Sequence, residues 1–409
     1  MAKHDNLLVG LDIGTTKICV IVGEVCEKQI DIIGIGTHPS KGLKKGMVVN
    51  IDSTVESVKR AVEEAELMAG VEINSVYTGI AGGHIQGLNG RGVIAVKEGE
   101  ITRGDIERVL DAAKVVSIPS DREILHVIPQ EFIVDGQDGI RDPLGMSGTR
   151  LEVCVHIITG AVASAQNIVK CVKKAGLDTM DVILQPLASS EAVLTPEEKD
   201  LGVLVVDIGG GTTDMAVFVE GAVRHTAVLP IGGNHLTNDI AIGLRTPPHE
   251  AEKLKIRYGC ALTEMVKENE TVDVPSVGGR PPRIMSRQLL SEVIEPRAEE
   301  IFTLVAAEIE KAGFEDKVPS GVVLTGGTSL TPGMVELCEQ ILNLPTRIGI
   351  PSNLGGLIDI VRSPVYATGV GLLLYAYQNQ EKKMAASRKQ GGLISRIKEK
   401  MKEWAKEFF

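Results

Sequence analysis

The stretch Leu7-Leu-Val-Gly-Leu-Asp12-Ile-Gly-Thr-Thr-Lys17-Ile-Cys-Val-Ile-Val22 has a second version further along the chain, Val203-Leu-Val-Val-Asp207-Ile-Gly-Gly-Gly-Thr-Thr-Asp214-Met-Ala-Val-Phe-Val219. Each is an apolar run, a tight turn that opens on Asp-Ile-Gly and carries a Thr-Thr doublet, and a second apolar run. That order predicts a hairpin of two buried strands. The two aspartates stand a domain's length apart, so the repeat is a duplicated domain and not a solenoid period.

The turn chemistry follows from its residues. Glycine lets backbone N–H groups approach phosphate oxygens with no Cβ in the way. Threonine hydroxyls add donors, and a lysine adds positive charge. An aspartate at the end of a strand can hold a hydrated Mg²⁺ beside them. The phosphate candidates are therefore Gly14, Thr15, Thr16 and Lys17 in the first turn and Gly209, Gly210, Gly211, Thr212 and Thr213 in the second. Asp12 and Asp207 are the metal candidates. One glycine-rich hairpin would say little. Two related ones, each led by an apolar strand and an aspartate, point to a ligand held between two halves.

The bulk properties bound the rest. The chain has 409 residues, 43% of them hydrophobic, enough for more than one core. A net charge of −11 argues against a nucleic-acid binder, which needs a basic face. Six cysteines occur with no CxxC pair, which signals neither a zinc site nor a redox dithiol and fits buried thiols in a reducing compartment. The first residues lack a basic-then-apolar signal, and no apolar run reaches the ~18 residues of a membrane span. The expectation is a cytoplasmic protein with at most peripheral membrane contact.

Taken together, the two turns resemble the phosphate motifs of the actin, sugar-kinase and heat-shock-chaperone superfamily. Gly321-Val-Val-Leu-Thr-Gly-Gly-Thr328 resembles its adenosine motif, with Gly326, Gly327 and Thr328 at the strand end. Ala251-Glu-Lys-Leu-Lys255 resembles the helix whose Glu and Lys contact ribose and adenine. Alone, Glu252 and Lys255 read equally well as a surface i, i+3 pair. Gly232 and Gly233 join the nucleotide candidates on the same resemblance. It implies an α/β protein of actin-like fold, with two duplicated ribonuclease-H-like halves around a nucleotide cleft that takes ATP and Mg²⁺. Gln185, in Leu184-Gln-Pro-Leu-Ala-Ser-Ser-Glu191, falls where the superfamily orients its attacking water. The catalytic candidates are then Asp12, Asp207 and Gln185; an amide is a weak base, so hydrolysis is expected to be slow at most.

Further phrases narrow the family. His126-Val-Ile-Pro-Gln-Glu-Phe-Ile-Val-Asp-Gly136, Asp142-Pro-Leu-Gly-Met-Ser-Gly-Thr-Arg150, Gly79-Ile-Ala-Gly-Gly-His84 and Ser291-Glu-Val-Ile-Glu-Pro-Arg297 resemble the FtsA family of bacterial cell-division proteins. The resemblance implies subdomain 1A over residues 1–82 and 164–198, an inserted subdomain 1C over 83–163, 2A over 199–243 and 307–378, and 2B over 244–306. It implies self-association into a polymer, later division proteins as partners of 1C, and the C-terminal tail of FtsZ as a partner of 2B, where Arg287 is the candidate contact. Within 83–163, Thr102-Arg-Gly-Asp105 predicts a helix cap. Strands are expected at Glu123–Ile128, Glu131–Val134 and Leu151–Ile158. His126 and His156 lack metal-ligand company and read as structural.

Residues 379–392 read as a flexible linker ending in Gly391-Gly392. Beyond it Leu393, Ile397, Met401, Trp404 and Phe408 are spaced to share one helical face, with basic residues opposite. Residues 393–409 are therefore expected to lie on anionic lipid; the FtsA resemblance points the same way and implies the inner face of the cell membrane, at the septum. A small-molecule kinase would need an acceptor pocket and a base that the sequence does not display. A chaperone would need a substrate domain for which there is no length after Tyr377. The closest alternative is an actin-like scaffold of a type IV pilus system, similar to PilM.

Overall fold

The computed structural model describes residues 6–26 and 29–380. Leu393, Ile397, Met401, Trp404 and Phe408, with all of the linker beyond residue 380, lie outside the described residues.

Both repeated stretches form antiparallel hairpins. Strand Leu7–Ile13 pairs with Lys17–Cys26, and Val203–Ile208 pairs with Thr213–Val219. Each hairpin is the middle of a larger sheet, and the two sheets share one order. The first runs Gln29–Pro39, Lys17–Cys26, Leu7–Ile13, Ser75–Ile80, Asp178–Leu184, with the short Gly355–Gly356 added at its Gln29–Pro39 edge. The second runs Ala222–Leu229, Thr213–Val219, Val203–Ile208, Val322–Thr325, Thr346–Ile348. In each, three strands form an antiparallel meander and two more join in parallel. The duplication therefore extends from the turn to the whole sheet.

Strand geometry explains how the sheets stack. Successive side chains point to opposite faces. Val203, Val205, Ala216 and Phe218 join the core of the first half, while Leu204, Val206, Met215 and Val217 join that of the second. A strand buried on both faces reads as an unbroken apolar run, which is what Val203-Leu-Val-Val206 is. Helix Gln185–Val193 and the helical residues 367–380 meet closely within this packing. A Cβ on Gly371 would overlap the Ala188 carbonyl oxygen.

Between Ile80 and Val162 the chain leaves the first half to build a separate unit. Its four-stranded antiparallel sheet runs Gln86–Ala95, Arg150–Ala161, Arg122–Val134, Gln137–Ile140, with helix Arg103–Ala113 packed on it. Val109, Phe132, Leu151, Val153 and Val155 form a core of its own. Thr102 caps the helix in a reciprocal box with Asp105, as the sequence predicts. The expected strands at Glu123–Ile128 and Glu131–Val134 are instead one strand, Arg122–Val134. Proline lacks the N–H a ladder needs. Here the register skips Gln130, so that Glu131 faces Cys154 and Pro129 faces Val155. The bulge carries the strand past the proline.

The insert is bonded to the half it does not belong to in sequence. The Gln130 amide, displaced by the bulge, donates to Val223 O at 3.0 Å. His156 bridges Asn89 of the insert (2.8 Å) and Thr226 of the second sheet (2.9 Å), and burial holds its pKa down to about 4. His126 accepts the Leu184 N–H at 3.0 Å, is likewise held to about 4 by burial, and lies edge-on to Tyr375. Both histidines are neutral connectors.

The helix contact gives a stability prediction. Gly371→Ala is expected to lower the urea midpoint of unfolding, at an overpacking cost of about 1–3 kcal/mol. Gly104→Ala, in helix Arg103–Ala113 with no close neighbour, should leave it unchanged or raise it slightly.

Candidate nucleotide site

Each hairpin turn is closed by the same hydrogen bond. Gly14 N–H donates to Lys17 O at 3.0 Å, and Gly209 N–H donates to Thr212 O at 2.9 Å. Gly14 is therefore equivalent to Gly209 and Lys17 to Thr212. The two Thr-Thr doublets, which look like counterparts in the sequence, are not: Thr15-Thr16 corresponds to Gly210-Gly211. The difference has a steric reason. A Cβ on Gly210 would overlap Thr16, and one on Gly211 would overlap Thr15. The threonines of the first turn fill the space that the glycines of the second leave open, and there the two halves touch. Among the described residues, none accepts the backbone N–H of Thr15, Thr16, Gly210 or Gly211.

Beside this contact lies a cleft of about 330 Å³. Three aspartates stand at its base. Asp12 accepts from the Gln185 amide at 3.1 Å, and Asp207 from Ser189 Oγ (2.6 Å) and Thr368 Oγ1 (3.2 Å). Asp214 accepts from Thr212 Oγ1 at 2.8 Å through one oxygen, while its buried Oδ1 has no hydrogen-bond partner. Burial pushes the Asp12 carboxyl up to about 6 against the pull of Lys17, and raises Asp207 despite its two hydroxyl donors. Burial and the neighbouring Asp207 push Asp214 up to about 8. Ionised together, these groups ask for a positive charge. Among the described residues no three His, Cys, Asp or Glu side chains are placed to ligate a metal directly. The arrangement suits a cation that keeps its water shell.

The remaining walls come from three places. Lys17 donates to Val365 O at 2.8 Å and lies 4.2 Å from the centre of the Tyr366 ring, which ties the first turn to the entrance of the 367–380 helix. On the opposite wall, Lys255 is buried and donates to Gly233 O (3.1 Å), Thr237 Oγ1 (2.9 Å) and Glu252 (2.7 Å). Strand Val322–Thr325 ends at Gly326, whose φ of +83° suits glycine and where a Cβ would overlap Asp207. Gly327 and Thr328 continue the lining, with Thr328 Oγ1 donating to Gly209 O at 3.0 Å.

The fold thus gathers most of the candidates at one place. Asp12, Gly14, Thr15, Thr16, Lys17, Gln185, Asp207, Gly209, Gly210, Gly211, Thr212, Glu252, Lys255, Gly326, Gly327 and Thr328 all line the cleft. Thr213, Gly232 and Gly233 stand behind it: Thr213 donates to Ile231 O, and Gly232 and Gly233 open helix Gly233–Gly243 against the second turn. Arg287 is elsewhere and is engaged internally, donating to Tyr258 O at 2.8 Å and pairing with Glu270. Sequence reasoning missed Ser189, Asp214 and Thr368. Asp214 closes the second turn motif, but its place opposite Asp207 emerges only from the strand register. Thr368 carries no signal in the sequence.

Comparison with known proteins agrees with this architecture. Residues 204–371 match the family model of cell division protein FtsA, and residues 82–159 that of the SHS2 domain inserted in FTSA. Cell division protein FtsA of Pseudomonas aeruginosa is 56% identical over 386 residues, covering 94% of this chain and 93% of that one. The Escherichia coli K12 protein of that name is 45% identical over 401 residues (94% and 96% covered), and the Bacillus subtilis one 43% over 379 (92% and 85%). Among solved structures, the PilM-PilN type IV pilus biogenesis complex aligns with TM-score 0.66 at 18% identity (90% and 98% covered). MreB5 of Spiroplasma citri bound to ADP aligns at 0.56 and 15% (92% and 99%). At such identities the structures carry the actin-like fold alone, and the pilus alternative rests on nothing further.

The aspartates predict a pH response. A carboxyl whose pKa rises on folding favours the folded state below its ordinary value of 3.8 and loses that contribution as pH climbs through the raised value. Nucleotide-free protein should therefore melt at falling temperatures from about pH 4 to about pH 8, and Asp214→Asn should flatten that fall. Parallel slopes for the two proteins would contradict the assignment.

Proposed function

The chain belongs to the FtsA family of cell division proteins, and from that premise we propose that it is an ATP-binding adaptor that tethers FtsZ filaments to the cytoplasmic face of the membrane, self-associates, and helps recruit later division proteins to the septal ring. The observation that carries the nucleotide part is the meeting of the two turns. A triphosphate lying between them would accept hydrogen bonds from the unused N–H groups of Thr15, Thr16, Gly210 and Gly211, two from each half, so that the ligand joins the halves. The adenosine would lie along Gly326 and Gly327, with Glu252 and Lys255 at its edge.

Mg²⁺ fits the aspartate cluster, and the unpartnered Asp214 oxygen is the observation that favours it. Asp12, Asp207 and Asp214 would hold the hydrated ion, which would offset phosphate charge. Gln185 is anchored to Asp12 and would orient a water without removing its proton strongly. ATP then serves more as a structural ligand than as fuel.

Partner binding rests on the family and on surface chemistry. The FtsZ tail is assigned to residues 244–306. Arg283 and Arg287 there are held by Leu244 O, Tyr258 O and Glu270, and beside them the exposed Arg280 and Ile284 would meet the peptide. The insert is assigned to self-association and later division proteins. No helix among the described residues is long and apolar enough to cross a membrane. Attachment falls to Leu393, Ile397, Met401, Trp404 and Phe408. A single short anchor binds reversibly, and many copies in a polymer bind with avidity.

Two measurements test this reading. Gly210→Ala should weaken ATP binding in calorimetry roughly five- to hundredfold, as an overpacking cost of about 1–3 kcal/mol at the turn contact implies; unchanged affinity would remove the turns from the site. The intact chain should carry an FtsZ tail peptide into the pellet with anionic vesicles, and a chain ending at Gly391 should leave it in solution. Equal pelleting by the two would exclude the anchor.

A further inference from the structure

A second cavity, of about 490 Å³, lies where the insert meets both halves. Its walls are Ile128 and Phe132 of strand Arg122–Val134, Leu187 of helix Gln185–Val193, Phe218 and Ala222 of the second sheet, and Tyr375 of the 367–380 helix. A hollow of about 370 Å³ extends it past Gln130, Glu131 and Asp138. Gln378 and Asn379 also line it, so the described chain ends on its rim. Gln378 donates to Glu191 at 2.7 Å, and Glu191 pairs with Lys199 at 2.8 Å, which fixes the last helical turn against the groove.

We propose that this groove receives the chain's own C-terminal segment, residues 381–409, with Trp404 and the apolar residues spaced with it seated against Ile128, Phe132 and Leu187. The proposal rests on the amphipathic reading of that segment and adds a second resting place for the face that lipid would take. Three observations support it. The segment follows directly on residues that line the groove, and covalent linkage over a short span gives an effective concentration on the order of mM. Its apolar stripe is costly to leave in water. Its charge contrasts with that of the whole: nine lysines and arginines against four glutamates in a chain of net charge −11; along the groove Glu131 and Glu220 pair with Arg224, Glu191 with Lys199 and Asp200 with Arg141, and Asp138 is the exposed acidic group left to meet it. Membrane and groove then compete for one surface, and the tail is withdrawn whenever the groove holds it.

Trp404 is the single tryptophan, so its fluorescence reports the seat directly. In dilute full-length protein without lipid, emission should lie at shorter wavelength, with a several-fold lower acrylamide quenching constant, than in a peptide of residues 381–409. Ala222→Arg and Ile128→Lys, on opposite walls, should each move emission and quenching to the peptide values while ATP binding stays at wild type; Ala222→Arg should keep the wild-type melting temperature, whereas Ile128 packs against the core and its variant should melt lower. Identical emission and quenching in protein, variants and peptide would overturn the proposal. Protection that grows with protein concentration would do the same, placing the segment on a second copy. A blue shift that arises only on adding phosphatidylglycerol vesicles would remove the groove and leave the membrane reading intact.

Discussion

The structure depends on a contact that admits no extra atom: two threonines from one half filling the space above two glycines from the other. Both turns carry N–H groups with no partner among the described residues, and both stand over aspartates whose ionisation is resisted by burial. Backbone donors gather where anionic oxygens would be welcome, and carboxyls gather where a cation would be. Neither half completes this arrangement alone. The site is a property of closure, and its glycines are demanded by the opposite half more than by the ligand.

The 367–380 helix extends this dependence through the molecule. Thr368 at its start bonds Asp207, Gly371 lies against Ala188, Tyr375 meets His126 of the insert, and Gln378 bonds Glu191 at the groove. Its entrance is tied to the first turn by Lys17. One rigid element thus touches the nucleotide cleft, the layer between the sheets, the insert and the point where the tail departs.

Much of this was legible in the sequence. The duplicated turn announced the fold because hairpin geometry, glycine and aspartate each leave a local signature. The capping box at Thr102 was readable for the same reason. What escaped notice depended on register and on contacts between distant segments. The pairing of Thr-Thr with Thr-Thr followed residue identity, whereas the hydrogen bonds Gly14–Lys17 and Gly209–Thr212 set a different correspondence. Asp214 faces Asp207 across a strand pair, and Thr368 reaches it from 161 positions away. The bulge at Gln130 hid a single strand behind a proline. Arg287 illustrates the converse: the residue that the resemblance offered as a partner contact already has internal partners in Tyr258 O and Glu270.

The attachment of the insert to the opposite half has a consequence for the order in which the molecule is made. Synthesised from its N-terminus, the chain releases the insert well before residues Val223 and Thr226 exist for Gln130 and His156 to bond. Its own core allows the insert to fold at once, since domains generally form as units during synthesis. Its seating must wait until the second sheet has emerged. Until then the polar edge built around Gln130 and His156 faces water, and the imidazole is buried against the second sheet only once strand Ala222–Leu229 is in place.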